Sequence, residues 1–203
     1  ARSAGFTNQR PLPAWRGDYF VDRPWPKSGG REVVLLVDTF NRYFEPENAR
    51  AAIRVLQAAD YRVHVAHPQH GERPLCCGRT FLSAGLVDEA RIEAKRMLAA
   101  LAPWADRGIP VLGLEPSCLL TLRDEYSVLL PGTETVAKNA FLLEEFLASE
   151  ADAGRLKLKL KPVAAAALLH GHCHQKAFGA MGAVERALRL IPQLKVDTVE
   201  SSC

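Results

Sequence analysis

The chain of 203 residues has no long apolar run. None of its hydrophobic stretches approaches the roughly 20 residues that a membrane-spanning helix needs. Its N-terminus is polar and proline-rich, without the apolar stretch of a secretory signal. Charge of one sign is scarce too: 26 Lys and Arg stand against 23 Asp and Glu, a net of +3. No basic cluster is interleaved with aromatics as a nucleic-acid groove requires, so no nucleic-acid partner is expected. Neither a Gly-x-Gly-x-x-Gly turn nor a Walker loop occurs, so no flavin, nicotinamide or nucleotide site is expected within these residues. With 48% hydrophobic residues the chain can bury a full core without disulfide staples. The lack of a leader and an odd number of cysteines together predict a reducing, cytoplasmic setting.

What the chain does have is five cysteines in a pattern. Cys76 and Cys77 precede Gly78, Cys118 ends the segment that opens at Glu115, Cys173 stands between His172 and His174, and Cys203 closes the chain. Adjacent cysteines rarely bond to each other. Thiols from separated segments, one of them flanked by histidines, point to a shared soft metal or iron–sulfur centre, because such centres take sulfur and imidazole donors. Cys76, Cys77, Cys118, Cys173 and Cys203 are the candidate metal ligands, with Glu115, His172 and His174 as weaker ones. The competing readings are plain: the thiols as core residues, the histidines bonded to loop carbonyls, and Glu115 in a salt bridge, which is the reading favoured for Glu115. A glycine directly after the Cys76 and Cys77 pair suits a tight turn around a bound group.

The hydrophobic pattern alternates strand and helix. Val33 to Val37 is a continuous, largely β-branched run of the kind found in buried parallel strands. Pro46 suits a first helical turn, and Ala49, Ala52, Ile53, Leu56 and Ala59 share one face of the helix that follows. Tyr61 to Val65 reads as a second strand, Val87 to Leu101 as a helix, Gly108 as its stop, and Ile109 to Leu114 as a third strand. Val136, Ala140, Leu143 and Leu147 mark a further helix. The apolar run Val163 to Leu169, a helix through Val184 to Ile191 and a strand from Lys195 to Val199 follow. This order predicts an α/β fold of mainly parallel sheets with flanking helices. Every cysteine falls at or beyond a strand end, where open α/β sheets place ligands. Pro11, Pro13, Pro24 and Pro26 make residues 1–30 a linker or extension, with Trp15, Tyr19, Phe20 and Trp25 available to pin it to a neighbouring surface. The strict alternation from Arg155 to Lys161 predicts a solvated edge strand guarded by lysines, with an acidic partner or anionic membrane as the less favoured reading.

The chain also repeats itself. Leu35 to Asn41, a helix, a strand and the Cys76 and Cys77 pair match Leu168 to His174, a helix, a strand and Cys203, in order and roughly in spacing. Phe40 takes the place of Cys173. With the Cys76-Cys77-Gly78 triplet, Cys118 after a strand, and His172-Cys173-His174-Gln175 leading to Cys203, residues 31–203 resemble the cysteine-rich CCG domain. That domain occurs in the heterodisulfide reductases, in the iron–sulfur subunit of glycolate oxidase and at the C-terminus of FAD-linked oxidases of the D-2-hydroxyglutarate dehydrogenase type. The segments around Val37 to Tyr43 and Leu169 to Ala177 most resemble the last group. A complete unit of this family has one early cysteine, a Cys-Cys pair and a Cys-x-x-Cys. Here Phe40 replaces the first and Glu115 opens the last.

The resemblance implies two related units, the first over residues 31–154 and the second, incomplete, over 155–203. It implies a fragment of an FAD-linked 2-hydroxyacid oxidoreductase that serves as an iron–sulfur electron-transfer domain. FAD and ferredoxin-like domains would then lie upstream in the parent chain, with an electron acceptor beyond. No complete catalytic site is expected in these residues. Three thiols in the first unit fall short of the four that a four-iron cluster takes, so the isolated chain is expected to be colourless after purification in air and open to adventitious zinc. Two other functions fit the cysteines: a structural zinc module without redox chemistry, and a thiol enzyme in which a histidine activates a cysteine.

Overall fold

The computed structural model describes residue 9 and residues 16–23, 29–69 and 71–201. The first apolar run forms β1 (Glu32–Leu36), buried from Val33 onward. Asp38 ends it by capping a short helix, α1 (Thr39–Tyr43): its carboxylate accepts from the backbone N–H of Phe40 at 2.9 Å and of Asn41 at 3.0 Å. In α2 (Pro46–Ala58) the proline stands where a backbone N–H has no helical partner anyway, and Ala49, Ala52, Ile53 and Leu56 are buried as their spacing predicts. β2 (Arg62–Val65) returns parallel to β1. Next come α3 (Arg79–Ser83), the long α4 (Val87–Ala105) and β3 (Val111–Gly113). They are followed by α5 (Pro116–Arg123), α6 (Glu125–Leu129), α7 (Glu134–Asn139), β4 (Ala140–Leu142) and α8 (Leu143–Asp152). The last stretch holds β5 (Ala166–Leu169), α9 (Cys173–Ala177), α10 (Met181–Arg189) and β6 (Lys195–Thr198).

The fold is α/β. Strands in the order β2-β1-β3-β4 form a parallel sheet, and β5 and β6 form a separate parallel pair. Alternate residues of β1 feed two cores, because successive side chains leave a strand on opposite faces. Val34 and Leu36 join Met97 and Leu101 of α4 and Leu119 of α5, whereas Val33 and Leu35 join Ile53 and Leu56 of α2 and Phe146 of α8. Burial on both faces is why this strand reads as a continuous apolar run. The run β1-α1-α2-β2 recurs in order and in parallel pairing as β5-α9-α10-β6. Measured from the strand ends at Leu36 and Leu169, Phe40 and Cys173 both lie four residues on, in the first turn of α1 and α9.

Two expectations fail. The helix expected through Val136, Ala140, Leu143 and Leu147 is broken by β4. Ala140 and Leu142 are buried at strand spacing and pair with Val111 and Gly113, satisfying backbone groups that an open β3 edge would leave bare. The edge strand expected from Arg155 to Lys161 does not form: exposure alternates along the segment, but it pairs with nothing among the described residues. Its leucines settle instead on the core beneath, where Leu156 and Leu158 pack against the cluster around β1 and α2. In the N-terminal extension Phe20 is fully buried, its N–H donates to the Arg42 carbonyl at 2.7 Å, and the Arg42 guanidinium lies over its ring. The Tyr19 ring lies 5.9 Å from that of Tyr43. Trp15, Trp25 and the four prolines expected to shape this extension lie outside the described residues, apart from this anchored stretch.

Candidate functional site

β1 and β3 are neighbours, and their carboxyl ends open into α1 and α5. Glu115 caps α5 and accepts from the Cys118 N–H at 2.5 Å, which holds Cys118 in the first turn at the sheet edge. The loop after β2 brings Cys76 and Cys77 to the same edge. Gly78 makes that approach possible: its φ is 81°, and a Cβ there would stand 3.1 Å from the Ala90 carbonyl oxygen and 3.3 Å from the Glu93 Cβ. Its N–H points at the Cys76 Sγ, 3.5 Å away, while the Tyr126 hydroxyl donates to the Cys77 carbonyl at 3.1 Å. Behind the loop, Glu93 is fully buried and ion-paired to both Arg73 and Arg96.

The three thiols are free, and each lies near enough to the next, Cys76 to Cys77 and Cys77 to Cys118, to alter its protonation. They line one cavity of about 580 Å³ together with Phe40 and Glu115. Phe40, Cys76, Cys77, Glu115 and Cys118, which come from three separate segments, therefore open onto the same space. The site holds its thiols protonated. The Cys77 contact and burial push the Cys76 thiol up, and the Cys118 contact and burial push Cys77 up. Cys118 is lowered by Cys77, but burial and the nearby Glu115 and Asp38 carboxylates outweigh this and raise it. Burial also raises Asp38, with Glu115 adding to the effect. A cation drawing in these sulfurs would have to displace their protons, as thiolate ligation always does. The donor chemistry, three soft sulfurs from two segments, fits such a group. Among the described residues, no set of three or more His, Cys, Asp or Glu side chains is already gathered in metal-binding geometry.

The histidines divide. His172 caps α9, its Nδ1 accepting from the His174 N–H at 3.2 Å, and its Nε2 lies 3.9 Å from the Glu115 Oε1. It borders a second cavity of about 700 Å³ that shares Phe40 and Glu115 with the thiol cavity. His174 turns away toward Arg79, with Nε2 3.0 Å from the Arg79 Nη2. A guanidinium only donates, so Nε2 accepts and the ring proton sits on Nδ1, which is buried without a hydrogen-bond partner. Cys173 is disulfide-bonded, whereas Cys76, Cys77 and Cys118 are free. Cys203 lies outside the described residues.

Three contributors were missed from the sequence. Asp38 carried a signal, an acidic residue one step beyond a strand run, which is where a helix cap belongs. Arg79, ion-paired with Glu125, and Tyr126 carried none, since each meets the site through contacts distant in sequence.

Among known proteins, a subunit of the anaerobic glycerol-3-phosphate dehydrogenase of Escherichia coli K12 is 28% identical to the chain over 174 residues, a match covering 85% of the chain and 42% of the relative. Its counterpart in Escherichia coli O157:H7 matches equally. A D-2-hydroxyglutarate dehydrogenase of Pseudomonas putida is 35% identical over 122 residues, covering 60% of the chain and 11% of the relative. The chain thus spans less than half the length of these relatives. No family model matches it. No solved structure matches it either.

Proposed function

We propose that this chain is an electron-transfer domain of a larger FAD-linked oxidoreductase, of the CCG type, in which Cys76, Cys77 and Cys118 hold an iron–sulfur centre. The observation that carries the reading is the meeting of three free thiols at the carboxyl edge of a parallel sheet, in a cavity that also receives Phe40 and Glu115. The relatives support the redox setting, since they are dehydrogenases or parts of them. Such a centre supplies one-electron chemistry by spreading charge over several metal and sulfur atoms.

The chain's own residues set the conditions. Gly78 and Tyr126 fix the backbone of the cysteine pair, Glu115 fixes Cys118, and Phe40 walls one side of the cavity. Glu115 lines the cavity, and His172, on the neighbouring cavity, lies 3.9 Å from Glu115, so a carboxylate and an imidazole are the candidate non-sulfur donors for the centre. Cys173 and Cys203 belong to the start of a second unit over residues 155–203, and residues 1–30 join the first unit, 31–154, to upstream FAD and ferredoxin-like domains. A 2-hydroxy acid is the substrate class of the parent, its electrons passing through this domain to an acceptor in the cytoplasm. Among the described residues no helix is long and apolar enough to cross a membrane.

The test is redox activity of the chain itself. After anaerobic loading with ferrous iron and sulfide, the protein is expected to show broad visible absorption that dithionite bleaches and a mild oxidant restores. Uptake of zinc alone, with no redox-active colour, would make the domain structural and refute the proposal.

A further inference from the structure

The arm that follows α8 is built differently from the rest of the chain. Residues 157–162 lie outside any strand and exchange no backbone hydrogen bond with other described residues. Yet the arm is held in place. Leu156 and Leu158 are seated on the core around β1 and α2, and Arg155 is tied to the buried Glu150 at 2.7 Å. Alternation then turns Lys157, Lys159 and Lys161 outward. Lys157 has only the half-exposed Asp60, 3.1 Å away, and Lys159 and Lys161 have no ion-pair partner among the described residues.

The result is a backbone whose exposure alternates as that of an extended chain does, with donors and acceptors that no other described backbone group takes up and one sign of charge at every second residue. Edge lysines keep ordinary strands away, because burying them beside neutral or basic neighbours is unfavourable. One chemistry reverses the sign of that effect: a strand whose acidic residues fall opposite the lysines. Backbone pairing then supplies binding, the charges select the partner, and the seating of Leu156 and Leu158 on the core reduces the entropy lost on association. Pro162, with no N–H, closes the row at its far end. At its near end a trough of about 590 Å³ beside Tyr61 and Arg155 leaves room for the residue that precedes or follows such a strand.

We propose that residues 157–161 are a docking edge for an extended acidic segment of a partner protein, which adds to the arm as a β-strand with its carboxylates on Lys157, Lys159 and Lys161. The probe is a short fluorescent peptide alternating glutamate and valine, added to the full chain and read by anisotropy and by amide hydrogen exchange. The peptide is expected to bind and to slow exchange at residues 157–161. Combining Lys157→Glu, Lys159→Glu and Lys161→Glu is expected to weaken it at least ~10-fold, as loss of complementary charge does. The same variant is expected to gain binding to a lysine-valine peptide, which also shows that it is folded. Binding that is absent, indifferent to the charge reversal or without protection of these amides would overturn the proposal. So would binding confined to phosphatidylserine vesicles, or pairing of the arm with a second copy of the chain.

Discussion

Glu150 offers the sharpest test of how the first sheet is joined to the arm beyond α8. Its side chain is 3% exposed and receives the Tyr61 hydroxyl at 2.6 Å, the Arg155 guanidinium at 2.7 Å and the Arg31 guanidinium. Burial on its own raises the carboxyl, but the donors from Arg155, Tyr61 and Arg31 outweigh it and bring the group from 4.5 down to about 2. A gap of that size is worth at most about 3–4 kcal/mol, at ~1.4 kcal/mol per pH unit. Arg31 and Arg155 are 55% and 53% exposed, so solvent screening reduces this to roughly 1–2 kcal/mol. Glu150→Gln keeps one acceptor oxygen, for Tyr61, and replaces the charge and the oxygen facing Arg155 with an amide NH2 group that cannot accept. The sign follows from the depressed value: the contribution is fully present above 4.5 and is lost as pH falls from there to about 2. Urea unfolding followed by circular dichroism is therefore expected to show the variant weaker by roughly 1–2 kcal/mol near neutral pH, with the two proteins converging toward about pH 2. Equal stability at neutral pH, or a difference that persists unchanged in acid, would refute the reasoning.

Gly78→Ala forces a side chain into a left-handed turn against the Ala90 carbonyl, so a loss of roughly 1–3 kcal/mol in urea unfolding is expected. Glu115→Cys removes a helix cap at a cost of about 1 kcal/mol but places a fourth sulfur beside Cys118. Iron bound per chain after anaerobic loading is expected to rise in that variant, and a fall would show that the carboxylate serves the site better than a thiolate.

The strands that position the site were legible because they are buried on both faces: Val33 to Val37 and Ile109 to Leu114 had no competing periodicity. The meeting of Cys76, Cys77 and Cys118 was legible for a related reason. Parallel strands deliver their carboxyl ends to one edge, so cysteines just beyond those ends arrive together. β4 was not legible, since Val136, Ala140 and Leu143 satisfy helical spacing and only the open edge of β3 decides against it. The arm at 155–161 was misread in the opposite sense, because alternation records which face is buried and carries no information on whether a neighbouring strand exists. The contact between Arg79 and His174, 95 residues apart, left no local trace at all.

The central claim is that Cys76, Cys77 and Cys118 together hold an iron–sulfur centre, and iron and sulfide analysis after anaerobic loading addresses it most directly. The unaltered chain is expected to retain both iron and sulfide through gel filtration, and Cys77→Ser and Cys118→Ser are each expected to lose them. Iron and sulfide retained equally by a chain with all three cysteines replaced by serine, or by none of the proteins, would contradict the account.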